Sequence, residues 1–133
     1  MSGESRVAIS SAADIVTARQ KGRTLAMELG FDGSDLTLIA TAISEIARNI
    51  IDHAKRGEVV VSTAHNGSKH GIAIVAHDEG PGIQDVTRAM QYGYSTRKGL
   101  GVGLPGAKWL MDEFQIDTKV GKGTTVTMRK WLH

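Results

Sequence analysis

Apolar residues recur along this chain at two periods. Over residues 12–29, Ile15, Ala18, Gly22, Leu25 and Leu29 stand three and four apart, the spacing of one face of an amphipathic helix. "LGFDGSD" (29–35) interrupts it. Ser34 then stands as N-cap for a second helix carrying Leu36, Ile39, Ile43, Ile46 and Ile50 on one stripe. "RVAI" (6–9) reads as a short first strand. "RGEVVVSTAH" (56–65) and "GIAIVAHD" (71–78) are β-branched runs on either side of the turn signal "NGSKHG", which predicts an antiparallel hairpin. A glycine- and charge-rich stretch covers about 79–103. After it, "LPGAKWLMDEF" (104–114) predicts a third helix, and "QIDTKV" (115–120), "GKG" and "TTVTMRKWL" (124–132) predict a closing hairpin.

Strands joined by hairpin turns, with helices between, argue against a βαβ repeat. The expected fold is an α/β (α+β) sandwich, a mostly antiparallel mixed sheet with three helices on one face. No repeat or linker divides the sequence, so residues 1–133 are read as one domain.

Composition narrows the class. Of 133 residues 41% are hydrophobic, enough for a folded core. A formal net charge of +2 is too balanced for a nucleic-acid binder. Cysteine is absent, which removes disulfide frameworks and thiolate metal sites. No apolar run reaches membrane-spanning length, and "MSGESRVAIS" holds no signal-peptide core, so a cytoplasmic protein is expected. His53, His65, His70, His77 and His133 lack ligand spacing and read as surface or edge residues. Met27, Met90, Met111, Trp109 and Phe114 read as core or interface.

Three short features carry candidate chemistry. "GLGVGLPG" (99–106) contains a G-x-G-x-x-G run, Gly101 to Gly106. A dinucleotide site needs a strand directly before it, and "YGYSTRK" is no strand. A eukaryotic-type kinase loop needs a lysine strand and far more chain. The glycines have companions, however: Asp78-x-Gly80-x-Gly82 after the strand "GIAIVAH", and Glu45 and Asn49 spaced i, i+4 on the second helix. An Asp at the end of a buried strand can accept a hydrogen bond from an exocyclic amine such as that of adenine. Glycines at 80 and 82 let the backbone approach a flat base. The amide oxygen of Asn49 suits Mg²⁺. Gly99, Gly101 and Gly103 would free backbone N–H groups at a helix start to hold phosphates.

Glu45-x-x-x-Asn49, Asp78-x-Gly80-x-Gly82 and Gly99-x-Gly101-x-Gly103-Leu104, in that order, resemble the N, G1 and G2 boxes of the GHKL (Bergerat-fold) ATPases. "GKGTT" (121–125) resembles the last box of that superfamily, in which a Thr assists adenine binding; Thr124 is the choice, with Thr125 beside it. Within the superfamily, "DIVTARQKGRTLAMELGF", "AISEIARNI" and "GLGVGLPGAKWLMDEF" are similar to the RsbT-like serine-protein kinases of bacterial partner-switching modules in the stress response.

The resemblance implies ATP and Mg²⁺ binding and γ-phosphate transfer to a Ser or Thr of STAS-domain antagonist and scaffold proteins. It also implies activation of a PP2C-type phosphatase once the kinase is released. On this likeness Glu45 is the base, Asn49 the metal ligand, Asp78 the adenine reader, and Gly80 and Gly82 line the base pocket. Arg97 and Lys98 offset phosphate charge, with Arg88 a weaker candidate, and residues 84–98 form a lid over ATP.

Plainer readings stand beside these. Asp78 could cap its own turn, Arg97 and Lys98 could be surface charges, and Arg48 faces solvent or an acidic partner. The lid and third helix are the expected partner surface. The rival functions are a nucleotide-binding anti-sigma factor or protein-binding switch, the catalytic half of a histidine kinase, and a hydrolytic ATPase. The last two need a phosphoacceptor helix or a transducer domain, which the sequence does not show.

Overall fold

A computed structural model describes residues 4–83, 90 and 103–132. In chain order the elements are β1 (Ser5–Ile9), α1 (Ala12–Leu29), α2 (Gly33–Ala54), β2 (Gly57–Asn66), β3 (Lys69–Asp78), α3 (Gly103–Leu110), β4 (Glu113–Lys119) and β5 (Gly123–Trp131). The strands form one sheet in the order β1-β2-β3-β5-β4. Every strand pair among the described residues is antiparallel, so the expected parallel component of a mixed sheet is not seen there.

Alternation sets the two faces of the sheet. Val7, Ile9, Val59, Val61, Ile72, Ile74, Ala76, Val126 and Met128 are buried and share a core with the helices. The intervening residues, such as Val60, Val75 and Thr127, are half-buried on the other face. α2 supplies the centre of the core. Ile39, Ile43, Ile46 and Ile50 are fully buried on its predicted stripe. The expected α+β architecture, with helices covering one face of the sheet, is the one observed.

α1 matches its predicted span. It ends in a Schellman turn, in which Gly30 N–H bonds the Met27 carbonyl at 3.1 Å and Phe31 N–H bonds the Ala26 carbonyl at 3.0 Å. That turn drops Phe31 into the core and starts α2 early. The N-cap of α2 is therefore Asp32, and Ser34, the expected cap, lies inside the first helical turn. Two further boundaries differ. The β2–β3 hairpin closes through two residues, with Asn66 already paired to Lys69, so β3 begins before Gly71. The third helix stops at Leu110 rather than 114. There the buried Lys130 Nζ donates to the Leu110 carbonyl at 3.2 Å, and Asp112 N–H bonds the Arg129 carbonyl at 3.0 Å. These bonds turn the chain into β4. Trp109 and Met27 are not core: they are 80% and 53% exposed.

Gly22 is where α1 lies closest to α2. A Cβ there would stand 2.1 Å from Ile43 Cδ1 and 3.5 Å from Val61 Cγ1. Alanine gains about 1 kcal/mol of helix propensity, but overpacking costs about 1–3 kcal/mol. Gly22→Ala is expected to destabilise the fold, and adding Ile43→Val, which trims the offending methyl, should return most of the loss in chemical denaturation.

The start of α1 is pH-sensitive. The N–H groups of Ser10 and Ser11 donate to Asp14 Oδ2 at 2.9 and 3.1 Å, and both hydroxyls approach the same oxygen at 3.2 Å. The Ser10 amide foremost, helped by the two hydroxyls and the Ser11 amide, holds this carboxyl below its ordinary value of 3.8. A lowered folded-state value stabilises the fold above the ordinary carboxylate range, and the gain fades as pH falls through the folded value. Asp14→Asn should lower the melting temperature near neutral pH, and the difference from wild type should shrink as pH falls through the ordinary carboxylate range and on through the lowered folded-state value.

Candidate functional site

The end of the sheet nearest the glycine turn carries a row of polar side chains on the helix-covered face. Asp78 closes β3, and its register partner on β5 is Thr124, whose own partner on β4 is Thr118. The apolar alternation of these strands (Ile74 and Ala76, Val126 and Met128, Phe114 and Ile116) runs out at this row. Three hydrogen-bonding groups therefore sit where the core ends. Asp78 and Thr124 are each 5% exposed.

Asp78 Oδ1 accepts the Gly80 N–H at 2.9 Å. The carboxylate thus caps its own turn, as the plainer reading of the sequence expected, but with one oxygen only. Its other oxygen takes no bond from a described residue. A buried carboxylate with one acceptor uncommitted is suited to an N–H donor from outside the chain.

Thr118, which sequence reasoning missed, organises the rest. Its hydroxyl accepts the Ile83 N–H at 2.8 Å. It donates to the Gly123 carbonyl at 3.2 Å and shares a 2.8 Å bond with Thr124 Oγ1, in which either hydroxyl can be the donor. This ties the segment after the glycine turn to the β4–β5 hairpin. Pro81 contributes as well, its carbonyl accepting the Gly121 N–H at 2.7 Å. The signal for Thr118 was present in the sequence: it is the next inward position after Phe114 and Ile116, opposite Thr124.

The glycines of the turn are required by protein contacts before any ligand is considered. A Cβ on Gly80 would stand 2.5 Å from Ala54 Cβ at the end of α2. At Gly82, with φ +79°, it would stand 2.4 Å from the Lys119 carbonyl oxygen. Gly123, at φ +125°, would place a Cβ 2.1 Å from the Asp78 carbonyl oxygen. Each is tighter than any side chain tolerates, and the last two backbones sit in the left-handed region that favours glycine. The expectation that Gly80 and Gly82 make room for a base is therefore refined. They let the turn wedge between α2 and the last hairpin, and that wedge presents Asp78.

Ala54 brings α2 to the same place. Five residues earlier, about 7–8 Å along the helix axis, stands Asn49, and one turn before it Glu45. Asn49 is half-buried, and its carboxamide has no hydrogen-bond partner among the described residues. An amide oxygen left open on a helix face fits a hard cation that keeps water and phosphate as its other ligands. Glu45 is 8% exposed, and Arg48 Nη1 lies 2.7 Å from its Oε2. Arg48, expected to face solvent or an acidic partner, is 39% exposed, and its acidic neighbour is the candidate base on its own helix.

Gly103 is the first residue of α3, whose Leu104 and Ala107 pack into the core together with Met111 just beyond its end. Gly99, Gly101, Arg97, Lys98 and Arg88, and all of the proposed lid (84–98) except Met90, lie outside the described residues. Thr125 points to the opposite face of the sheet, where its Oγ1 lies 2.8 Å from His77 Nδ1. That leaves Thr124 as the residue facing the site. A groove of about 700 Å³ passes the other flank of the turn, lined by Ser10, Arg56, Glu58, His77, Asp78 and Glu79. It reaches Asp78 but neither Asn49 nor Thr124, so it is not the space between the boxes.

A family described as "Histidine kinase-like ATPase domain" matches residues 9–130. The chain is 48% identical over 132 residues to serine/threonine-protein kinase RsbT of Bacillus subtilis (strain 168), covering 99% of each. It is 36% identical over 100 residues to the anti-sigma F factor of Thermoanaerobacter sp. (strain X514), covering 71% of this chain and 68% of that one. Among solved structures it superposes on the RsbU and RsbW domains of Rv1364c from Mycobacterium tuberculosis with a TM-score of 0.60 at 24% identity. That likeness of fold covers 96% of this chain and 31% of the other. The chain belongs to the histidine kinase-like ATPase domain family, and its end-to-end likeness lies with a serine/threonine kinase of that family.

Proposed function

We propose that this family member is an ATP-dependent serine/threonine-protein kinase of a cytoplasmic partner-switching module. Its substrates are STAS-domain antagonist and scaffold proteins, and its released form activates a PP2C-type phosphatase. The observation that carries the reading is the 48% identity to a serine/threonine-protein kinase along 99% of both chains. The row Asp78–Thr124–Thr118 on the helix-covered face of the sheet supports it.

On this reading adenine lies against Asp78 and Thr124, its exocyclic amine donating to the uncommitted carboxylate oxygen. Asn49 would hold Mg²⁺, which supplies charge neutralisation for the phosphates. The backbone around Gly99, Gly101 and Gly103, at the start of α3, would cradle the phosphate tail, as a helix N-terminus does. Arg97 and Lys98 would offset phosphate charge. Glu45 takes the proton of the acceptor hydroxyl as its oxygen bonds the γ-phosphorus and the bond to the ADP oxygen breaks. Positioning and electrostatics dominate such transfers.

Incubation with γ-labelled ATP, Mg²⁺ and a STAS protein should label a Ser or Thr of that partner. Failure across partners encoded beside this chain would contradict the kinase reading. A second reading, a nucleotide-binding anti-sigma factor, rests on the 36% likeness over 71% of the chain. It predicts capture of a sigma factor in pull-down without labelling of any partner.

A further inference from the structure

The kinase chemistry above makes no use of Arg48, although that residue makes a close ion pair with the candidate base. Its guanidinium lies 2.7 Å from Glu45 Oε2 across one helical turn. Glu45 is 8% exposed and the Arg48 side chain 39%, so the pair is partly shielded from water on the carboxylate side. Exposed i, i+3 pairs are weak because water competes and the side chains must be immobilised. Here the Glu45 side chain is already buried, and a charge-assisted bond of this length restricts it further.

We propose that Arg48 is the positioning residue for Glu45, which rests on the reading of Glu45 as the base. A carboxylate beside a polyphosphate is repelled by it and gains by rotating away. A guanidinium anchored to Oε2 from the neighbouring turn opposes that rotation and offsets the repulsion locally. The chain order makes the device compact. Arg48 lies between Glu45 and Asn49, so one turn of α2 carries the base, its anchor and the proposed metal ligand.

The test is a mutant cycle on kcat and on the KM for ATP, with melting temperature and ATP affinity measured for every variant. Arg48→Ala is expected to lower kcat about 10- to 100-fold with the KM for ATP within about twofold, since misplacing a reacting group costs rate rather than binding. Arg48→Lys should recover part of kcat. In the Glu45→Ala background, Arg48→Ala should cause no further loss, because there is nothing left to position.

An unchanged kcat in Arg48→Ala overturns the proposal. So does a loss that multiplies with that of Glu45→Ala, which would mean that Arg48 touches phosphate or acceptor directly. Should the alanine variant fail to fold, Arg48→Met keeps the apolar stem and reads the same cycle. Glu45→Ala measured alone tests the base reading separately. If it retains full kcat, that reading fails and takes this proposal with it, whatever Arg48→Ala does.

Discussion

Glu45→Ala is expected to lower the rate of phosphoryl transfer about 100- to 1,000-fold, the range for removal of a general base. ATP affinity should change little. The separation follows from position: Glu45 lies on α2 one turn from Asn49, whereas the proposed adenine contacts lie at the end of β3. Removing the carboxylate also leaves Arg48 without its 2.7 Å partner, but that guanidinium is 39% exposed and can turn to water. The fold should therefore hold, with a melting temperature near that of wild type. Single-turnover transfer from labelled ATP, beside nucleotide binding on the same preparation, gives the check. Equal losses of binding and transfer would place Glu45 in the binding site and remove it as base.

Asp78→Asn is expected to weaken ATP binding about 10- to 100-fold, as loss of a charge-assisted hydrogen bond does. The substitution is nearly isosteric, and an asparagine oxygen can still accept the Gly80 N–H that Asp78 Oδ1 accepts at 2.9 Å. The turn should survive. What changes is the other end of the side chain, where an acceptor becomes an NH₂ donor facing the adenine amine. Thermal shift with saturating nucleotide separates the two effects. Wild type should gain stability by mass action, and the variant should melt at the wild-type apo temperature with little gain.

Much of this was legible in the sequence, for identifiable reasons. The isoleucine stripe of α2 and the alternation of β2, β3 and β5 are periodic signals, and they gave the elements and the helix-covered face. Glu45, Asn49, Asp78 and the glycines could be singled out as candidates because each residue type does something its neighbours cannot. The misses have physical causes as well. Ser34 lost its cap role because the Schellman turn at Gly30 needs Phe31 buried, which starts α2 at Gly33. The third helix was drawn too long because "MDEF" is compatible with a helix until pairing with Arg129 and Met128 claims it. Thr118 was overlooked although it continues the inward alternation of Phe114 and Ile116, whereas the Glu45–Arg48 pair depends on which rotamers meet. Gly80 and Gly82 also meet a demand that the sequence does not display, the close approach of Ala54 and of the Lys119 carbonyl.

Calorimetric titration of the intact chain with ATP and with GTP, each with excess Mg²⁺, tests the adenine site most directly. Guanine presents a carbonyl oxygen where adenine presents its amine, and that oxygen would face the Asp78 carboxylate. The account predicts saturable heat with ATP and at least about tenfold weaker binding of GTP. No heat with ATP, or equal affinity for the two nucleotides, would contradict it.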